Sequence, residues 1–189
     1  MFIMTFRVTK VDRFCWPDQL AVDRGLEPLG LNSSSVCAAL QSFTDDTDPS
    51  AKRYTETLAH NMARHLAQQL RRPGTRSETR QVHTRYSPQL DHNADVAVAP
   101  GEPGRSAFIE IEFRPNFEKD LVKFQVGHHS GRLAVGIIVV AVDRDAIRDT
   151  YTSMPEFASV TAVLASFRPL HPVLVLGMHA DRGGGSGTA

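Results

Sequence analysis

The stretch 95–125, DVAVAPGEPGRSAFIEIEFRPNFEKDLVKFQ, constrains the fold of this chain more than any other. It opens with Asp95 at the head of a short alternating run, Val96-Ala97-Val98-Ala99, followed by a Pro/Gly-rich turn over 100–104. A second alternating run, Phe108-Ile109-Glu110-Ile111-Glu112-Phe113, carries two acids two residues apart. Side chains alternate faces along a strand, so Glu110 and Glu112 project from one face and Ile109, Ile111 and Phe113 from the other. A hairpin through the turn brings Asp95 close to that acidic face. Carboxylates gathered there repel one another unless something positive sits between them, and hard divalent cations such as Mg²⁺ prefer such oxygen ligands. The plainer reading is a solvated face of an antiparallel pair with its apolar residues inside. Spacing alone leaves both open.

The rest of the chain reads as an α/β domain with a mixed sheet. Residues 1–14 alternate loosely and suit an edge strand; Gly25, Pro28 and Gly30 argue for loop across 17–35; 36–43 is a short helix or part of the core. Asp48 as N-cap and Pro49 as first helical residue predict a helix over 50–72, with Tyr54, Leu58, Met62, Leu66 and Leu70 on its apolar face. Glu56 lies near the edge of that arc, within reach of a site beside the core. Its plainer reading is an exposed helix glutamate. His60 and His65, five apart, do not share a face. Pro73-Gly74 ends the helix, 79–86 alternates weakly, and Asp91-His92-Asn93 reads as a turn in which Asp91 ranks below Asp95 as a ligand.

Beyond the double-acid strand, a helix over 116–129 places Phe117, Leu121, Phe124 and His128 on its apolar face. Lys123 falls well away from that stripe and is expected to point elsewhere. An apolar strand over 133–142 ends at Asp143-Arg144-Asp145, a polar turn able to touch a ligand. Ser153-Met154-Pro155-Glu156 is a capping box opening a helix to 167, and 172–178 is a last short strand. At 189 residues the chain is most simply one domain over 1–180 with a flexible Gly-rich tail over 181–189.

No apolar run approaches the ~18 residues of a membrane span, and the first ten residues lack the layout of a secretory signal. Cys15 and Cys37 show no metal-ligand spacing and fit a reducing cytoplasm. Lys+Arg and Asp+Glu balance at 21 each, which argues against a nonspecific polyanion binder. It does not exclude an enzyme acting on DNA, because catalytic carboxylates offset basic contacts. Arg64, Arg71, Arg72, Arg76, Arg80 and Arg85 form a local basic cluster whose plainer reading is a solvated helix end and loop.

An acid at a strand head, a turn, then a strand with Glu-x-Glu resembles the metal site of the PD-(D/E)xK nucleases, the restriction-endonuclease-like fold. With glutamate rather than lysine in third place, it is similar to the BglII/BstYI/BamHI group of type II restriction endonucleases. The similarity extends through the helix with its Asp-Leu pair, Phe124, and the apolar strand with internal Gly136. The resemblance implies a central mixed sheet flanked by helices, Mg²⁺-dependent hydrolysis of phosphodiester bonds in double-stranded DNA, and a homodimer matching a palindromic site. It also implies roles. Asp95 and Glu110 are the metal-binding acids, with the backbone carbonyl of Ile111 completing the shell. Glu112 orients or deprotonates the attacking water or adds a ligand, and Glu56 is an extra helix-borne acid. The chain departs from the pattern at Ala94, where a proline is expected, and in having no lysine in the double-acid strand. Two other roles stay open: a repair or mobile-element-defence nuclease of the same fold, or a catalytically silent relative serving as a DNA- or protein-binding dimer module.

Overall fold

Alternation along the strands decides the layers. In β8 (Leu133–Val140), Val135, Ile137 and Val139 enter one hydrophobic core while Leu133, Ile138 and Val140 enter a second on the opposite face. A strand covered on both faces needs a continuous apolar run, and LAVGIIVV supplies it. The computed structural model describes every residue except 1–3, 49–50, 52, 80–83, 89, 102–103, 114–116, 142–149, 153 and 185–189.

The eight-stranded sheet runs in the order β2 (Thr44–Asp45), β1 (Met4–Trp16), β10 (Val173–Gly184), β8, β7 (Ser106–Glu112), β6 (Val96–Pro100), β3 (Thr75–Thr79), with β9 (Thr150–Thr152) also paired to β10. β7, β8 and β10 are parallel and the other pairings antiparallel, so the sheet is mixed, as expected. β4 (Arg85–Ser87) and β5 (Leu90–Asn93) form a separate pair. Helices α1 (Gln19–Leu26), α2 (Ser33–Gln41) and α3 (Tyr54–Gln69) cover one face; α4 (Phe117–His129) and α5 (Met154–Phe167) cover the other.

Several expectations are corrected. The segment 17–35 is mostly helical. Asp18 caps α1 by accepting from Ala21 N at 2.8 Å, a 3-10 turn spans Glu27–Leu29, and Asn32 with Ser35 forms a capping box on α2. Gly25 is there for close packing, since a Cβ would meet Val135 Cγ2 at 2.3 Å. β1 lies inside the sheet rather than at its edge, between β10 and the two-residue β2. The helix expected from 50 begins only at Tyr54, after Arg53 in a left-handed conformation (φ 68°), and ends at Gln69. Asp91-His92-Asn93 belongs to β5, not to a turn. β10 continues to Gly184, pairing with β1 as far as Met4, so 181–184 are sheet where a flexible tail was expected. The polar turn 143–145, position 116 at the start of the expected helix, and Ser153 lie outside the described residues.

One contact fixes α4 over β7 and β8. A Cβ on Gly136 would lie 2.3 Å from the Phe124 ring, so only glycine lets this helix settle so close to the sheet. Phe117, Leu121 and Phe124 bury its inner face, as the stripe predicted.

Candidate active site

The β6–β7 hairpin forms as the alternation predicts, with Val96 opposite Ile109 and Val98 opposite Ala107. That register sets Asp95, one residue before β6, across from Glu110. The Asp95 carboxylate is held at the strand end, its Oδ2 accepting the backbone N–H of Ile111 at 2.9 Å. Asp95, Ile111 and Glu112 line a cleft of about 550 Å³ together with Glu56, Ala59 and His60 of α3. The structure therefore brings Glu56 to the same cleft as the hairpin acids. Glu56 is largely exposed and lies 3.8 Å from Arg53.

Glu110 does not line this cleft. It is buried at 3% exposure beneath α4, although a glutamate is seldom hidden without partners. Its partners are specific: Tyr86 Oη donates to Oε1 at 2.5 Å, and Lys123 Nζ lies 3.1 Å from Oε2. Lys123 Nζ also donates to Asp120 Oδ1 at 2.9 Å. Tyr86 is held edge-on to Phe108, ring centroids 4.9 Å apart.

Lys123 and Asp120 correct and extend the sequence reading. On the helix, at 100° per residue, Asp120 lies about 40° outside the arc of Phe117, Leu121 and Phe124, and Lys123 sits about 60° beyond Asp120. The long lysine stem folds back across that angle and delivers its head to Glu110. A charged residue bordering the apolar arc was the sequence signal for Asp120; only the structure identifies Lys123 and Tyr86. Glu110, Glu112 and Asp120 each present a carboxylate oxygen within 4.8 Å of the others. Asp120 is fully buried, and its Oδ2 has no hydrogen-bond partner.

The electrostatics follow. Burial pushes the Glu110 carboxyl up to about 7; Lys123 and the Tyr86 hydroxyl pull it down while Asp95 and Asp120 push it further up. Burial, then the Asp120 carboxylate beside it, hold Glu112 above the usual carboxylate range. Burial works against the Lys123 ammonium, but Glu110 and Asp120 outweigh it and raise its pKa. Burial and Glu110 lift the Tyr86 phenol well above its ordinary value, so it remains a donor. Charge here is crowded and short of cations.

A mixed sheet with helices on both faces, carrying carboxylates at the end of a hairpin, is the restriction-endonuclease-like architecture. The chain belongs to the restriction endonuclease BglII/BglIII family, whose model matches residues 32–178. No curated protein and no solved structure matches it. The family assigns the chain to the restriction endonucleases, hydrolases that act on DNA.

Proposed function

We propose that this chain is a type II restriction endonuclease that hydrolyses phosphodiester bonds of double-stranded DNA with Mg²⁺, working as a homodimer in the cytoplasm, with 1–180 as its nuclease domain. The observation that carries this reading is the meeting of Asp95, Glu110 and Glu112 at the open end of the β6–β7 hairpin, with the Lys123 ammonium among them. The donor set fits a hard cation: it is all oxygen and negative in excess.

Asp95 and Glu110 hold the metal in this reading. The Ile111 carbonyl joins them because a residue's N–H and C=O leave a strand on the same side, and the Ile111 N–H points at Asp95. When bound, Mg²⁺ lowers the pKa of a coordinated water and stabilises charge on the scissile phosphate. Glu112, half-buried at the cleft, accepts the proton of the attacking water or orients it. Lys123 supplies the ammonium that the double-acid strand lacks, and its charge pulls the Glu110 carboxyl toward the ionised form. Glu56 extends the acidic row from α3. A palindromic duplex presents two-fold symmetry, which two copies of the chain match.

One observation favours a second reading. Both Glu110 oxygens are already taken, by Tyr86 and Lys123, as they would be in a catalytically silent binding module. Incubating duplex DNA with the purified chain in Mg²⁺, in EDTA, and with Glu110→Ala separates the two. Discrete fragments that vanish with EDTA and with the variant support the nuclease; intact DNA across varied substrates and metals supports the silent module.

A further inference from the structure

We infer that Asp120 of α4, with Glu110 and Glu112 of β7, forms a binding site for a hard divalent cation, of the Mg²⁺ or Mn²⁺ kind, whose ligand set differs from Asp95, Glu110 and the Ile111 carbonyl. Geometry is the first support. The three carboxylates each place an oxygen within 4.8 Å of the others. On a Mg²⁺ ion with bonds of 2.0–2.1 Å, opposite ligands stand about 4.2 Å apart and neighbouring ones about 3 Å. Side-chain adjustments of about 1 Å, on the order of ordinary thermal displacement, bring the three oxygens onto one ion.

The second support is independent of the cluster. Asp120 is fully buried, yet only Oδ1 is satisfied, by Lys123; Oδ2 has no partner. An unmet buried acceptor costs about 1–3 kcal/mol, more when charged, and a cation removes that cost. Charge leads to the same ion. A bound cation would hold all three carboxylates ionised, and against the Lys123 ammonium they then leave two negative charges among the described residues, the complement of one divalent ion. Tyr86 donates a hydrogen bond but brings no charge.

The ligand is also held in place. Phe124 is locked against Gly136 one turn further along α4, so Asp120 cannot swing away from β7 without unseating the helix. An all-carboxylate set excludes the soft ligands that draw zinc or copper, and selects a hard ion. The role of this cation in DNA cleavage rests on the function proposed above; its binding does not.

The test is calorimetric titration of Mn²⁺ into the DNA-free full chain, comparing wild type with Asp120→Asn and Glu112→Gln, each checked for folding by its melting curve. Glu112 sits at the cleft and tolerates the amide, so it keeps the test open should Asp120→Asn fail to fold. Each folded variant is expected to bind Mn²⁺ at least tenfold more weakly. Wild-type affinity in either folded variant overturns the inference; Asp120→Asn discriminates the two ligand sets, because Glu112 also borders the site of Asp95, Glu110 and the Ile111 carbonyl. The two readings fail separately. Weakened Mn²⁺ binding in a chain that never cuts DNA sinks the nuclease and keeps the cation site. Mg²⁺-dependent cleavage with unchanged Mn²⁺ affinity in the variants does the reverse.

Discussion

β7 and β8 are adjacent parallel strands in register, with Glu110 beside Ile138 and Glu112 beside Val140. Along β8 the face toward α4 is apolar throughout; at the same level on β7 it carries acids. Glu110 is nearly as hidden as its neighbour, at 3% exposure against 0% for Ile138. An isoleucine there would cost nothing to bury, whereas the carboxylate requires Tyr86, Lys123 and the nearby Asp120 arrangement to be tolerated. On the proposed function, the difference teaches that β8 serves the sheet's stability while the end of β7 serves chemistry at the expense of that stability.

The largest break in this comparison comes at Glu112. If Glu112 handles the attacking water as proposed, Glu112→Ala should lower cleavage by about 10²–10⁴-fold with little change in DNA binding. Single-turnover rates and a binding titration in Ca²⁺ check it. On the apolar side, Ile138→Ala should cost about 2–5 kcal/mol in a denaturant melt. Gly136→Ala should cost about 1–3 kcal/mol by driving a methyl into Phe124, and lower cleavage as well because α4 carries Asp120 and Lys123.

His171 gives a smaller, pH-dependent effect on the same face. It is fully buried, and burial, with His128 and His129 nearby, lowers its pKa to about 4. The unfolded chain takes up that proton first, near the ordinary histidine value of 6.5. Stability is therefore fully present above pH 6.5 and falls as pH drops toward 4, by up to about 3 kcal/mol at the low end. His171→Phe should flatten that slope in melts taken across the window. The smallest effect belongs to Glu56, whose exposed ion pair with Arg53 contributes little: Glu56→Gln should change stability by less than about 0.5 kcal/mol. A rate loss without a stability loss in that variant would sharpen its assignment to the cleft.

The strongly periodic parts of the fold were legible in sequence. The β6–β7 hairpin, α4, β8 and α5 lie within a few residues of where alternation, the Phe117-Leu121-Phe124 stripe and the capping pattern put them. The N-terminal helices were not, because Gly25 and Pro28 read as punctuation. Gly25 serves close packing against Val135, and Pro28 sits in the first turn of the 3-10 segment, where its missing N–H is harmless. The caps Asp18 and Asn32–Ser35 were the better signal there. In the site, Asp95, Glu110 and Glu112 were visible because a strand fixes side-chain direction every second residue. Lys123 was placed on the wrong side because a wheel locates the Cα and not the end of a four-carbon stem. Tyr86 comes from β4, outside the main sheet, and no local pattern links it to Glu110.

The most direct test of the central claim, that β7 keeps a buried acid for metal-dependent DNA hydrolysis, pairs two readings on Glu110→Gln. One is Mg²⁺-dependent cutting of duplex DNA; the other is the metal-free melting temperature of the same preparation. The account predicts cutting lost and melting unchanged or raised, since the amide lightens a negative cluster while keeping the Tyr86 contact. Undiminished cutting, or a chain that melts far below wild type, would contradict it and make Glu110 a structural residue.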